Sequence, residues 1–436
     1  GAVAVEGHPP LANAIVWNVA RWNSQYPLLG HYWQVVVQHA RRAEWHHALR
    51  TLPREGSRWA PAGWSLPEGA ARRNLHVIVL ESFIDPLWFP AARWPADPLS
   101  PLFAAWRQAG EARALVPIFA SRSSNTEFEV LCGLPAAVDS SELAFLLFPG
   151  EGAVPCLPGL LARQGYATAS LVPSSAAFFG VGHAYRAMGF GQSTFGPDLD
   201  MSDRDGEWLS AAATLGAVAE RAAQLRAAGG PVFSYVFVNA GHYPFERDRA
   251  RRPDVLDPAP DHTLLRAWAH AAHYNAQAVE AFVATLRRED PDALIVILGD
   301  HNPPLGPNFS GYRAGGRLAA QDAVPPLANP TLYETPLLVL DRGAMVDAGR
   351  IAAWQVPALV LDRLTGGTFC ATNACPHREA PGLRPLPDLV FAPGEAPRPE
   401  ACNRRDPAPV PACAAALAAT RRLERSFADA LRLQGR

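Results

Sequence analysis

From about residue 70 onward the chain alternates between two hydrophobic patterns. Short, nearly unbroken apolar runs recur at Leu75–Leu80, Ala167–Val172, Val232–Val238, Ala293–Leu298 and Pro336–Leu340. Such runs suit strands covered on both faces. Between them, Leu99–Gln108, Leu157–Gln164, Gly206–Ala228, Thr263–Arg288 and Ile351–Leu364 carry apolar residues at helical spacing. Strand–helix alternation predicts an α/β fold, a mostly parallel central sheet with helices on both faces. Ligands meet such sheets beyond the carboxyl ends of the strands. Glu81, Asn239 to His242, and Asp300 with His301 directly follow three of the runs and are weighed first.

The flanks read differently. Residues 1–70 are rich in Trp, His and Arg, and predict helices at Ile15–Trp22 and His31–Leu49 followed by a Pro/Gly/Ser linker. The adjacent His46 and His47 point about 100° apart on a helix, so a surface pair fits better than a ligand pair. Prolines dominate from about 366 to 411, and Ala412–Leu433 closes the chain with an apolar side of Leu417, Leu423, Phe427 and Leu431. The expected domains are a helical segment with linker at 1–70, a catalytic domain at 71–395, and a Pro-rich tail with a helix at 396–436.

With 49% apolar residues a large core is available, and 436 residues fit one large α/β domain or two ordinary ones. A net charge of −2 argues against nucleic acid as a partner. Every basic residue is arginine. No stretch approaches the roughly 20 apolar residues that cross a bilayer. The chain starts at Gly1 without an initiator Met or a signal-like segment, so a trimmed part of a longer protein is expected. Of six cysteines, Cys370, Cys375, Cys402 and Cys413 lie in loop-like sequence, where Cys370–Cys375 and Cys402–Cys413 disulfides and an oxidising compartment are expected. Cys132 and Cys156 are expected as free thiols. The alternatives are four further free thiols, or Cys370, Cys375 and His377 in a metal site.

One stretch carries the most chemistry: Ser121-Arg-Ser-Ser-Asn-Thr-Glu-Phe-Glu-Val-Leu-Cys-Gly-Leu134. Ser121, Ser123, Ser124 and Asn125 crowd the expected start of a helix at about Thr126. By itself that is an ordinary cap. Its company changes the weighing. Glu81, Asp300, His301 and His242 follow strands of one sheet, and two carboxylates with an imidazole suffice for a divalent ion. A hydroxyl beside such an ion loses its proton more easily and becomes a nucleophile.

Leu80-Glu81-Ser82, the stretch Ser123 to Pro135, and Gly299-Asp300-His301-Asn-Pro-Pro304 together resemble the lipoteichoic acid synthase and periplasmic glucan phosphoglycerol transferase family, within the alkaline phosphatase–sulfatase superfamily. Tyr185 to Phe190, Asn239 to His242 and Tyr333 to Pro336 match its pattern as well, and the resemblance spans about residues 70–395. It implies one divalent ion, manganese first and zinc or magnesium otherwise, held by Glu81, Ser123, Asp300 and His301. It also implies a nucleophilic Ser123, where the family usually has threonine, and a His242 that contacts the transferred group. A phospholipid headgroup donor at the membrane surface and a glycan or polymer acceptor follow, in a periplasmic domain anchored in the inner membrane. The stretch Ser174 to His183 departs from the pattern. Ser175 and Val181 replace an acidic residue and an arginine around the paired aromatics, so Phe179, His183 and Arg186 become the substrate-binding candidates. The expected activity is metal-dependent transfer of phosphoglycerol, with phosphatidylglycerol as donor, through a phosphoserine. The alternatives are phosphoethanolamine transfer or phosphodiester hydrolysis, and a silent metal-bound binding module. A sulfatase proper needs a Cys/Ser-x-Pro-x-Arg pattern, which Ser123 to Glu127 does not fit.

Overall fold

The computed structural model describes residues 64–67, 72–136, 145, 156–256, 261–319, 328–386, 389–392, 400–403 and 409–420. The helices expected at 15–22 and 31–49, and the end of the C-terminal helix, lie outside these residues. Helix is present over 411–420. The strands are β1 (Leu75–Leu80), β2 (Arg113–Leu115), β3 (Ala167–Val172), β4 (Gln192–Phe195), β5 (Arg204–Asp205), β6 (Trp208–Leu209), β7 (Val232–Val238), β8 (Leu294–Gly299), β9 (Glu334–Asp341), β10 (Ala344–Val346), β11 (Arg350–Ala352), β12 (Arg384–Pro385), β13 (Leu389–Ala392) and β14 (Glu400–Asn403). The helices used below are α1 (Pro101–Gln108), α2 (Ser123–Cys132), α3 (Leu157–Arg163), α4 (Val181–Met188), α5 (Ala211–Ala227), α6 (Thr263–Glu289) and α7 (Val356–Leu364).

Nine strands make the central sheet, in the order β11-β2-β9-β8-β1-β7-β3-β4, with β10 on β9. The block β4, β3, β7, β1, β8 is parallel, and β9 runs against both β8 and β2. The sheet is therefore mixed and mostly parallel, as the alternation predicts. Every side chain of β1, β7 and β8 is buried, which is why their sequences lack an apolar–polar alternation. Leu80 sits opposite both Val238 and Gly299. That register brings the residues after three strands out side by side. A Cβ on Gly299 would lie 2.0 Å from the Phe83 carbonyl oxygen, so the close approach of the β1 and β8 ends requires glycine there.

Helix α6 supports this edge from behind. Leu265, Trp268, Ala269, Ala272, Ala276, Val279, Phe282, Val283 and Leu286 form its buried stripe. Trp268 Nε1 donates to the Ser82 carbonyl (2.8 Å) and Asn275 Nδ2 to the Ala240 carbonyl (2.7 Å). One helix thus fixes the loops after both β1 and β7. None of the described helices is long and apolar enough to cross a membrane.

Four local expectations are corrected. The segment expected as a helix from Gly206 first forms the β5–β6 hairpin, turning at Gly206 with φ +64°, and α5 begins only after the Ser210 cap. Ile351 belongs to β11, and α7 starts at Val356 with a proline in its first turn. Helix α2 starts at Ser123 rather than Thr126; its cap is Arg122, in the left-handed region at φ 66°, ψ 46°, with no side-chain cap bond. The Pro-rich stretch contains a three-stranded sheet, β12-β13-β14, whose β13–β14 pairing joins residues on either side of position 396. A second, smaller core lies there, built on Leu115, Trp354, Leu383, Val390 and Leu417.

The cysteines bring a fifth correction. Cys370–Cys375 and Cys402–Cys413 are disulfides, and so is Cys132–Cys156, which leaves no free cysteine. Sequence position hid the third bridge: Cys132 ends α2 and Cys156 caps α3, two helices that only the fold makes neighbours. The Cys370–Cys375 bridge also takes both sulfurs away from a metal site with His377, since thiolates are the ligands. Thiol titration of the denatured, unreduced protein is expected to find fewer than one free thiol per chain. Two free thiols would show that Cys132 and Cys156 are reduced.

Candidate active site

Glu81, Asp300 and His301 each offer a ligand atom within 4.8 Å of the others, and all three are buried. The carboxyl ends of β1 and β8 deliver them. Ser82 has φ 52°, and this turn lets its amide donate to Asp300 Oδ1 (2.7 Å) and its hydroxyl to Glu81 Oε1 (2.7 Å). The amide of His301 also donates to Asp300 Oδ1 (2.6 Å). His301 Nδ1 lies 3.1 Å from the Asn302 carbonyl. A carbonyl only accepts, so the proton is on Nδ1 and Nε2 presents its lone pair. That lone pair faces Glu81 Oε1 at 3.5 Å and Asp300 Oδ2 at 3.3 Å.

Such a group repels itself without a cation. Burial, then the neighbouring Asp300, push the Glu81 carboxyl above its ordinary range, against the pull of His301 and His242. Burial pushes Asp300 up to about 7, against the nearby Ser123 hydroxyl and the Ser82 and His301 amides. Burial likewise lowers His301, favouring neutral imidazole. Asp300 Oδ2 is buried and accepts no hydrogen bond from the described residues. Two carboxylates, a neutral imidazole nitrogen and an undonated buried oxygen are the donor set of a divalent cation.

Ser123 is the first residue of α2, and its hydroxyl donates to Glu81 Oε2 at 3.3 Å. Thr126, one turn on, donates to the Asp300 carbonyl (2.7 Å) and holds the helix start over the cluster. Residues Ser124 to Cys132 of α2 are all buried, including two glutamates. Glu127 accepts from the hydroxyls of Tyr185 and Tyr235 (2.8 Å from the latter); burial outweighs both and pushes its carboxyl up to about 8. Glu129 takes both guanidinium nitrogens of Arg384, at 2.6 and 2.5 Å, and Arg384 donates twice more to the Leu115 carbonyl. Sequence reading passed over Glu127 and Glu129. Two acidic residues inside an otherwise core-like segment were their only signal.

His242 stands in the loop after β7, its Nδ1 2.7 Å from the Tyr243 carbonyl, within electrostatic reach of Glu81 and His301. Phe179, at φ 48°, meets Phe178 edge-on with centroids 4.4 Å apart. Phe178 lies 6.2 Å from Trp208, and Trp208 lies 5.0 Å from His242. The aromatic pair is thus continuous with His242 through Trp208, a residue that the sequence reading had placed inside a helix. His183 and Arg186 go elsewhere. They line a cleft of about 470 Å³ with Gly182, Phe190, Ser193 and Phe195, and none of Glu81, Ser123, His242, Asp300 or His301 borders it.

Residues 74–352 match the family model described as Sulfatase, and the chain belongs to that family of metal-dependent enzymes. Among curated proteins it is 24% identical over 287 residues to a protein of Rhizobium meliloti (strain 1021) named for cyclic beta-1,2-glucan modification. The match covers 63% of this chain, and the chain spans 43% of that relative's length. Two solved structures share the fold. The lipoteichoic acid synthase LtaP of Listeria monocytogenes has a TM-score of 0.61 at 17% identity, covering 86% of this chain and 95% of that one. The Streptococcus pyogenes phosphoglycerol transferase GacH, solved with sn-glycerol-1-phosphate, has a TM-score of 0.59 at 14% identity, covering 91% and 92%.

A raised carboxyl makes stability pH-dependent. Asp300 shifts from 3.8 to about 7 on folding, so the folded state holds a proton that the unfolded state has released. Stability of the metal-free protein therefore falls as pH rises from about 4 to about 7. Manganese, zinc or magnesium is expected to raise Tm most at pH 7 and above. Asp300→Asn should flatten the metal-free pH profile and abolish the metal-dependent rise. A rise retained in Asp300→Asn would remove Asp300 from the ligand set.

Proposed function

We propose that this protein transfers phosphoglycerol from a membrane phospholipid, phosphatidylglycerol in the first instance, to a hydroxyl of a glycan or polymer. The observation that carries the reading is the Ser123 hydroxyl, at the first residue of α2 and 3.3 Å from Glu81 Oε2 in the Glu81–Asp300–His301 group. Ser123 Oγ attacks the donor phosphorus. The bond from phosphorus to the diacylglycerol oxygen breaks, that oxygen takes a proton, and a phosphoserine diester remains. An acceptor hydroxyl then attacks the same phosphorus and gives up its proton, and Ser123 regains one.

Glu81, Asp300, His301 and Ser123 would hold the divalent ion, manganese by preference. When bound it would offset charge on the phosphoryl oxygens and ease loss of the serine proton. Backbone amides in the first turn of α2 face the same oxygens. His242, oriented through Tyr243, contacts the transferred group. The raised Glu127 carboxyl holds its proton at neutral pH, so no further charge is set beneath the helix. The relatives named above support the class of reaction, and the disulfides support an extracytoplasmic, periplasmic setting beside the membrane.

Phosphoethanolamine transfer by the same steps is the second reading. It is favoured by Val181, buried at the start of α4 where the resembling family carries arginine, so no guanidinium at that position selects a glycerol headgroup. Incubation with each lipid followed by intact-protein mass should find an adduct on Ser123 of the preferred headgroup. Ser123→Ala is expected to lose at least about 10³-fold in turnover of a phosphoglycerol diester, about 4 kcal/mol of transition-state stabilisation, while Ser121→Ala keeps most of it. Undiminished turnover in Ser123→Ala would overturn the nucleophile. Absence of turnover on either headgroup, with metal bound, would favour a silent binding module.

A further inference from the structure

The Cys370–Cys375 bridge is set among groups that a disulfide alone does not use. Cys375 Sγ lies 3.6 Å from His377 Nδ1 and 4.0 Å from its Nε2. His377 Nε2 lies in turn 3.9 Å from Asp362 Oδ2, and both side chains are buried, at 7% and 4% exposure. Ligand atoms of Cys370, Cys375 and His377 fall within 4.8 Å of one another. One edge of the imidazole thus faces sulfur while its far nitrogen faces a carboxylate. Metal-bound histidines carry that arrangement, the carboxylate fixing the tautomer and the ring plane.

The backbone is held independently of the S–S bond. Asp362 sits near the end of α7, where the Cys370 amide donates to its Oδ1 (3.2 Å) and Arg378 donates to its Oδ2. The Cys375 amide donates to Glu379 Oε1 (2.7 Å). With the bridge open, α7 and the helical turns Phe369–Thr372 and Pro376–Glu379 still direct two thiols and an imidazole at one point. Two thiolates with a neutral imidazole select zinc over manganese or magnesium. The Glu81 group has no sulfur, so the two clusters suit different ions.

We propose that Cys370, Cys375 and His377 form a redox-gated zinc site, opened by a dithiol reductant, with Asp362 backing the imidazole. A thiolate of the reductant attacks Cys370 Sγ, the less buried sulfur. The S–S bond breaks and Cys375 leaves as a thiolate that takes a proton. The reductant's second thiol attacks the mixed disulfide and releases Cys370. The reductant departs as a disulfide, two electrons poorer, and each protein thiol gives up its proton as zinc binds. The loop between the cysteines carries Asn373, which pairs with the Ser65 backbone at 3.1 and 2.9 Å, and Phe369 meets Trp64 edge-on at 5.4 Å. Zinc thus keeps residues 64–65 docked when the bridge is open. The site shares no residue with the Glu81 group and is independent of the transferase reading.

Site-resolved alkylation tests it. The full chain is reduced under native conditions with a phosphine, which leaves no competing thiol. It is then treated with iodoacetamide, with and without zinc, and mapped by peptide mass. Zinc should slow labelling of Cys370 and Cys375 by at least about 10-fold, since the free thiolate is the reactive form. Labelling at the other four cysteines should not change. His377→Ala should lose the protection, and Asp362→Asn should need about 10-fold more zinc. Asp300→Asn, which disables the Glu81 group, should keep it. Cobalt added to the reduced, unmutated protein gives a second measurement that needs no folded variant. A sulfur-to-metal charge-transfer band should appear and be removed by zinc. Equal labelling with and without zinc overturns the proposal, as does protection that survives in His377→Ala or the absence of the cobalt band. A bridge that resists the phosphine until the chain unfolds overturns it as well.

Discussion

Two carboxylates and an imidazole, packed out of water at adjacent strand ends, set the terms for the rest of this fold. At an effective dielectric near 20, two like charges about 4 Å apart repel by about 4 kcal/mol. Burial adds a desolvation cost to each. Hydroxyls of Ser82 and Ser123 on Glu81, and amides of Ser82 and His301 on Asp300, offset only part of this, and Asp300 Oδ2 goes undonated among the described residues. The group persists because its backbone has no freedom to move apart. Leu80 is locked in register to Val238 on one side and Gly299 on the other, the Glu81 amide donates to the Val238 carbonyl, and the Asp300 amide donates to the Leu80 carbonyl. Parallel pairing in the middle of a buried sheet is the hardest part of such a fold to deform. Here it holds the two carboxylates and the imidazole together.

The same logic extends into α2. Its first residue is partly exposed, but from Ser124 onward it is buried, and that requires answers for Glu127 and Glu129. They are answered in opposite ways. Among the described residues Glu127 has tyrosine hydroxyls for partners, so burial wins and its carboxyl rises to about 8. Glu129 has a two-pronged guanidinium, and the pair is fully buried. Breaking a buried pair by removing one partner typically costs about 3–5 kcal/mol. The Arg384 contact therefore makes the small C-terminal sheet a support of the serine helix rather than an appendage. Cys132–Cys156, at the far end of α2, fixes it to α3.

Much of this was legible in the chain before folding, for a physical reason. A strand buried on both faces writes itself as an apolar run, so β1, β3, β7, β8 and β9 were readable to within a residue or two, and with them the positions of Glu81, His242, Asp300 and His301. Ser123 was readable through the motif around it. What was hidden depends on partners distant in sequence. Arg384 meets Glu129 across 255 residues, and Cys132 meets Cys156 because two helices pack. Residues 204–209 carry no periodicity that separates a hairpin from the first turns of a helix, because the Asp248 amide and the Arg252 guanidinium hold them. Trp208 was lost with that hairpin. His183 and Arg186 were adjacent to the aromatic pair in sequence, yet a helix turns them into a separate cleft.

The start of α2 shows how a placement that no sequence rule favours is made stable. An ordinary cap would put a hydroxyl at the boundary and use it up on backbone amides. Here Arg122 takes the boundary in the left-handed region, and Ala120 just before it is left-handed too. Each such non-glycine residue costs about 1–3 kcal/mol. The cost is met by contacts on both sides of the turn: the Ala120 amide donates to the Asn302 carbonyl, the Asn125 amide to the Arg122 carbonyl, and Thr126 to the Asp300 carbonyl. Two of those three bonds end on the loop that carries Asp300 and His301. The strained turn and the loop after β8 therefore hold each other, and the hydroxyl of Ser123 is left over from capping, directed at Glu81 instead of its own helix.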